Sequence, residues 1–108
     1  MIYTLDEIRQ RIIPVAQKYN IPAVYIFGSY ARGEATEHSD IDLLIDTNGT
    51  NLKSMFALGA LYNDLETALD KQIDMVTVSS LNQKPQMPSD ITFRENVHKE
   101  RMTLYHVA

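Results

Sequence analysis

Apolar residues recur at helical spacing from Leu5 onward, with Leu5, Ile8, Ile12, Val15, Ala16 and Tyr19 falling on one face. Thr4, with Glu7 three positions on, forms the capping-box pattern that starts such a helix. Pro14 lies inside the pattern. It removes a backbone donor and crowds the carbonyl four residues back, which predicts a kink or two short helices. Asn20-Ile21-Pro22 ends the segment. Residues 23–27 are a continuous bulky apolar run, the mark of a buried strand. Gly28-Ser29-Tyr30-Ala31-Arg32-Gly33 reads as a loop that turns into a short helix. Residues 40–45 read as a second strand, and residues 46–50 carry turn chemistry. A wide stripe through residues 51–69 predicts a long helix, with Met55, Phe56 and Tyr62 counted as core. Residues 72–78 form a third strand. Residues 79–89, with two prolines, read as an exposed loop, and residues 90–105 as a polar-rich final helix. The order α-β-(short α)-β-α-β-α predicts an α/β (α+β) fold, a small mixed β-sheet flanked by helices.

Composition narrows the picture. The 108 residues suffice for one domain spanning 1–108. There is no cysteine, so disulfides and thiolate metal sites are excluded. The formal net charge of −4 gives no drive to coat a nucleic acid or an anionic membrane, so direct nucleic-acid binding is not expected and an anionic substrate would need cations. No apolar run reaches the length of a membrane span, and the first residues lack a basic leader and an apolar signal core. The expected location is cytoplasmic.

Candidate chemistry gathers on two segments. Asp40 and Asp42 stand two apart on the second strand, so their carboxylates share a face while Ile41 and Leu43 take the other. Two unpaired carboxylates on one face repel, and hard divalent cations with oxygen ligands relieve that repulsion. Asp74 sits between Ile73 and Met75 in the third strand, where a charge calls for a partner. If the second and third strands are neighbours, all three carboxylates can converge; a solvated strand-edge position is the other reading of Asp74. Gly28-Ser29 follows the first strand directly. Glycine there lets backbone approach a ligand, the amides beyond it suit phosphate, and Ser29 adds a hydroxyl. Arg32, one turn on, is either a surface charge or an anion or partner contact.

Gly28-Ser29, a ten-residue gap, then Asp40-Ile41-Asp42 resembles the signature of the DNA polymerase beta-like nucleotidyltransferase superfamily. The longer strings, residues 27–35 with residues 39–45, resemble its minimal nucleotidyltransferase (MNT) antitoxin branch. The resemblance is continuous over residues 25–46. It implies that Asp40 and Asp42 bind two Mg²⁺ ions, that Asp74 completes the site, and that Gly28 and Ser29 hold the β- and γ-phosphates of a nucleoside triphosphate. It also implies AMP transfer from ATP. Larger relatives carry an added helical domain for the acceptor. These residues leave no room for one, so the expected acceptor is a protein hydroxyl. MNT antitoxins supply the candidate partner, a HEPN-type ribonuclease toxin that is AMPylated and so neutralised.

Two other functions stay open at this point. One is an antitoxin that acts by binding alone; the other is nucleotidyl transfer to a small molecule such as an aminoglycoside. Base preference, Mg²⁺ against Mn²⁺, and homo- or hetero-oligomeric state are not written in the sequence. Ser39 reads as a residue that orders the loop before Asp40. His38, His98 and His106 lack metal-ligand spacing and read as surface residues.

Overall fold

The computed structural model describes residues 2–83 and 87–107. Of the expected 79–89 loop, residues 84–86 lie outside the described residues. The elements run α1 (Leu5–Lys18), β1 (Ala23–Phe27), α2 (Gly28–Arg32), β2 (Ile41–Asp46), α3 (Met55–Leu69), β3 (Ile73–Thr77), α4 (Val78–Leu81), α5 (Pro88–Glu100) and β4 (Met102–His106). The strands form one mixed sheet in the order β3-β2-β1-β4. β1 is antiparallel to both β2 and β4, and β2 is parallel to β3. Among the described residues, no helix is long and apolar enough to cross a membrane.

α1 opens on the capping box expected from the sequence: Thr4 N donates to Glu7 Oε1 at 3.0 Å, and Glu7 N donates to Thr4 Oγ1 at 3.1 Å. Of the two outcomes expected at Pro14, the pair of short helices gives way to one helix that runs through it. Pro14 and Gln10 both face solvent, so water can serve the carbonyl that loses its amide. Meanwhile Ile8, Ile12, Val15 and Ala16 hold the helix to the core.

The sheet divides the interior. On one face, α1 and α3 cover Val24, Ile26, Ile41, Leu43, Ile45 and Ile73, which makes the larger core. On the other, Phe27, Leu44, Leu81 and Val97 form a smaller cluster beneath α4 and α5. Alternation along β2 sends Leu43 to the first cluster and Leu44 to the second.

Four expectations are corrected. α3 begins at Met55, capped by Ser54 accepting from Ala57 N at 3.0 Å, and not at residue 51. Its buried line is Leu61, Leu65 and Leu69. Met55 and Phe56, expected in the core, are 86% and 92% exposed, because they lie with Gly59, Ala60 and Asn63 on the outward face of α3, while Ala57 and Leu58 of the same turn pack on the core. The loop expected from residue 79 begins with the short helix α4, which buries Leu81. The final helix stops at Glu100 and not at residue 105. Arg101 turns extended (φ −61°, ψ 141°), and residues 102–106 pair with β1 as an edge strand. Leu104 is the buried residue of this strand, between exposed Thr103 and half-buried Tyr105.

Leu43 is fully buried at the centre of β2. Replacing it with alanine leaves a cavity in a sheet strand flanked on both sides, and should cost about 2–5 kcal/mol in chemical denaturation. A loss below about 1 kcal/mol would place the core elsewhere.

Candidate active site

Register fixes the first part of the site. Phe27 pairs with Asp42, and Asp42 with Asp74, so the three lie in a row across β1, β2 and β3. The row lies on the face of the smaller cluster, because Ile26, Leu43 and Ile73 belong to the other. The strand after Phe27 then turns sharply. Gly28 adopts φ +74°, a left-handed conformation suited to glycine. A Cβ there would collide with the Asp42 carboxylate oxygen Oδ2. Glycine is thus required twice, by the turn and by the carboxylate that lies against it.

Asp42 is half-buried and in hydrogen-bond contact with the Asp74 carboxyl. Its pKa is pushed up from 3.8 to about 6. Burial is the main cause; Asp74 and then Asp40 add to it, and the Arg32 charge opposes it. Asp40 precedes β2 and, like Asp74, is exposed. The structure therefore joins Asp42 and Asp74 directly, while Asp40 acts on Asp42 through its field. Among the described residues, no three acidic or histidine side chains are gathered closely enough to hold a metal ion as they stand. The donor chemistry nonetheless fits a hard divalent cation: the available atoms are carboxylate oxygens, and burial and the neighbouring acids oppose ionisation of Asp42, an opposition that a cation would relieve.

Facing these acids, α2 starts at Gly28 with no side chain capping its first amides. At its end, Arg32 donates to Glu34 Oε1 at 2.6 Å and to Glu100 Oε2 at 3.0 Å. A cavity of about 400 Å³ opens between this turn and α5. Phe27, Gly28, Ser29, Arg32 and Asp42 line one side. Phe93, Asn96, Val97 and Glu100 line the other. Ser39 orders the approach to Asp40 by accepting from Thr36 N at 2.8 Å. His38, His98 and His106 are exposed. The α5 wall is what the sequence reading missed, since α5 has no motif and a weakly patterned polar sequence. Tyr62 was also missed. Counted only as core, it is partly buried and its hydroxyl donates to Glu66 Oε2 at 3.1 Å and to the Ile73 carbonyl, next to Asp74, at 3.2 Å.

A sheet of this order, with a glycine turn set against a pair of strand carboxylates, is a nucleotidyl-transfer framework. Residues 10–106 match the family described as polymerase beta, nucleotidyltransferase. The chain belongs to that family and carries its nucleotidyltransferase domain. Among named relatives, a candidate protein adenylyltransferase of Methanocaldococcus jannaschii is 40% identical over 78 residues, 72% of this chain and 82% of that protein. The protein adenylyltransferase MntA of Thermococcus cleftensis is 34% identical over 82 residues, 72% of this chain and 81% of that protein. Two solved structures share the fold. A toxin–antitoxin with AMP-PNP has a TM-score of 0.68 at 24% identity, over 92% of this chain and 73% of that one. A complex of a tri-AMPylated Shewanella oneidensis HEPN toxin with an MNT antitoxin has a TM-score of 0.64 at 20% identity, over 95% of this chain and 73% of that one.

An acid whose midpoint is raised by folding holds its proton more tightly in the folded chain. Metal-free protein should therefore lose stability as pH rises from about 4 to about 6, and carry the whole penalty above that. Asp42→Asn should raise the melting temperature of metal-free protein at pH 7, with the gain shrinking toward pH 4. No gain at pH 7 would show that Asp42 ionises freely. Gly28→Ala should lower stability by at least about 1 kcal/mol from the left-handed turn alone. Adding Asp42→Ala should restore part of the loss by removing the colliding carboxylate; equal losses with and without it would disprove that contact.

Proposed function

We propose that the chain is a divalent-cation-dependent protein adenylyltransferase, an antitoxin that transfers AMP from ATP to a hydroxyl of a HEPN-type ribonuclease toxin. The observation that carries the reading is the Asp42–Asp74 pair facing an uncapped glycine-serine turn across one cavity. The MntA name of the Thermococcus relative and the AMPylated toxin bound to a protein of the same fold support the acceptor class. The AMP-PNP complex supports the nucleotide.

In this reading Asp40, Asp42 and Asp74 hold the cations, with the exposed Asp40 side chain closing on the pair. When bound, such ions offset the charge of the triphosphate and ease ionisation of the acceptor hydroxyl. The chain's own groups do the rest. The amides after Gly28 and the Ser29 hydroxyl hold the β- and γ-phosphates. Arg32 exchanges a glutamate for a phosphate oxygen. Asp74, exposed at the sheet edge, takes the proton as the acceptor oxygen bonds to the α-phosphorus and the bond to pyrophosphate breaks. Most of the acceleration comes from positioning and charge stabilisation.

Mixing chain, HEPN partner and MgATP should add whole AMP masses to the partner by intact mass spectrometry, and EDTA should prevent it. Asp42→Asn should bind the partner yet add less than 1% of the label. Toxin neutralisation that survives Asp42→Asn in full would support inhibition by binding alone.

A further inference from the structure

The amides and carboxylates described so far account for the phosphate end of a nucleotide and leave α5 without a task. We infer that α5 is the nucleobase wall, with Phe93 stacking on an adenine and the Asn96 amide reading its edge; this rests on the nucleotidyl-transfer reading above. Both residues line the same cavity as Gly28, Ser29 and Asp42, so a nucleotide with its phosphates on the glycine turn extends its base toward them. The cavity, about 400 Å³, lies within the range of small-molecule sites.

Phe93 meets Phe27 edge-to-face, with ring centroids 6.0 Å apart and an interplanar angle of 82°. That contact fixes the ring, yet it stays 45% exposed, so it keeps surface to give to a base. Asn96 is an exposed polar residue one position before buried Val97, the residue that anchors α5 to the sheet. A carboxamide offers one acceptor and one donor group side by side, which complements the amino donor and ring-nitrogen acceptor of adenine; guanine presents a different pattern there. The Arg32–Glu100 pair ties the end of α5 to α2 and sets the width of the cleft.

Titration calorimetry with the full chain in Mg²⁺ buffer should compare ATP, GTP and tripolyphosphate. ATP should bind most tightly. Phe93→Leu, which keeps apolar bulk, should weaken ATP about tenfold and leave tripolyphosphate unchanged. Asn96→Asp, on an exposed position that the fold does not need, should reduce the preference for ATP over GTP. Equal affinity for ATP and tripolyphosphate, or ATP binding that neither substitution alters, would overturn the assignment while leaving phosphate binding intact. Failure of the wild-type chain to bind any of the three would instead remove the nucleotidyl-transfer reading on which the assignment stands.

Discussion

The site depends on a steric bargain between Gly28 and Asp42. The carboxylate occupies the space that any other side chain at position 28 would need. In exchange, the chain turns out of β1 directly beside an acid, which brings backbone amides and negative oxygens to the same spot. Register does the aligning: Phe27, Asp42 and Asp74 are paired in one row, and only Asp40 comes from outside the strands. Carboxylates on neighbouring strands keep their spacing because the strand separation is set by backbone hydrogen bonds.

The two faces of the sheet are unequal. The face under α1 and α3 holds the bulk of the apolar packing and supplies rigidity. The face with the acids has a small cluster, to which α5 contributes Val97. The Arg32–Glu100 pair is partly exposed and adds little to stability in water. Strong packing on one side thus supports a charged, sparsely covered surface on the other, which is the division of labour expected where function opposes burial.

Much of this was legible in advance. The capping box and the strand at residues 23–27 follow from local chemistry, and the two-residue period puts Asp40 and Asp42 on one face; the β2–β3 adjacency that sets Asp42 beside Asp74 entered only as a condition, which the structure meets. The errors share a physical origin. Met55 and Phe56 widen the apolar stripe of α3 past the face that is buried, and apolar character alone does not say which edge of so wide a stripe meets the sheet. Residues 102–106 were absorbed into a helix because strand identity there comes from pairing with β1, almost eighty positions earlier, and no local signal reports a distant partner. Pro14 does not divide α1, because Pro14 and Gln10 lie on its solvent face, where water can serve the carbonyl that loses its amide. The α5 wall was invisible for a related reason. Phe93 and Asn96 gain meaning only from what α5 lies across, and its sequence names no neighbour.

That late edge strand shapes how the molecule comes into being. β1 emerges early but remains half-paired until residues 102–106 arrive, and Val107 N then extends the ladder by donating to the Pro22 carbonyl at 2.8 Å. Until residues 102–106 are in place, β1 has one flank open. The contact that completes the sheet has high sequence separation, so its closure belongs to the slow part of folding. In this topology the free flank moves outward from the apolar strand 23–27 to β4, whose exposed Thr103 and His106 make a more polar border.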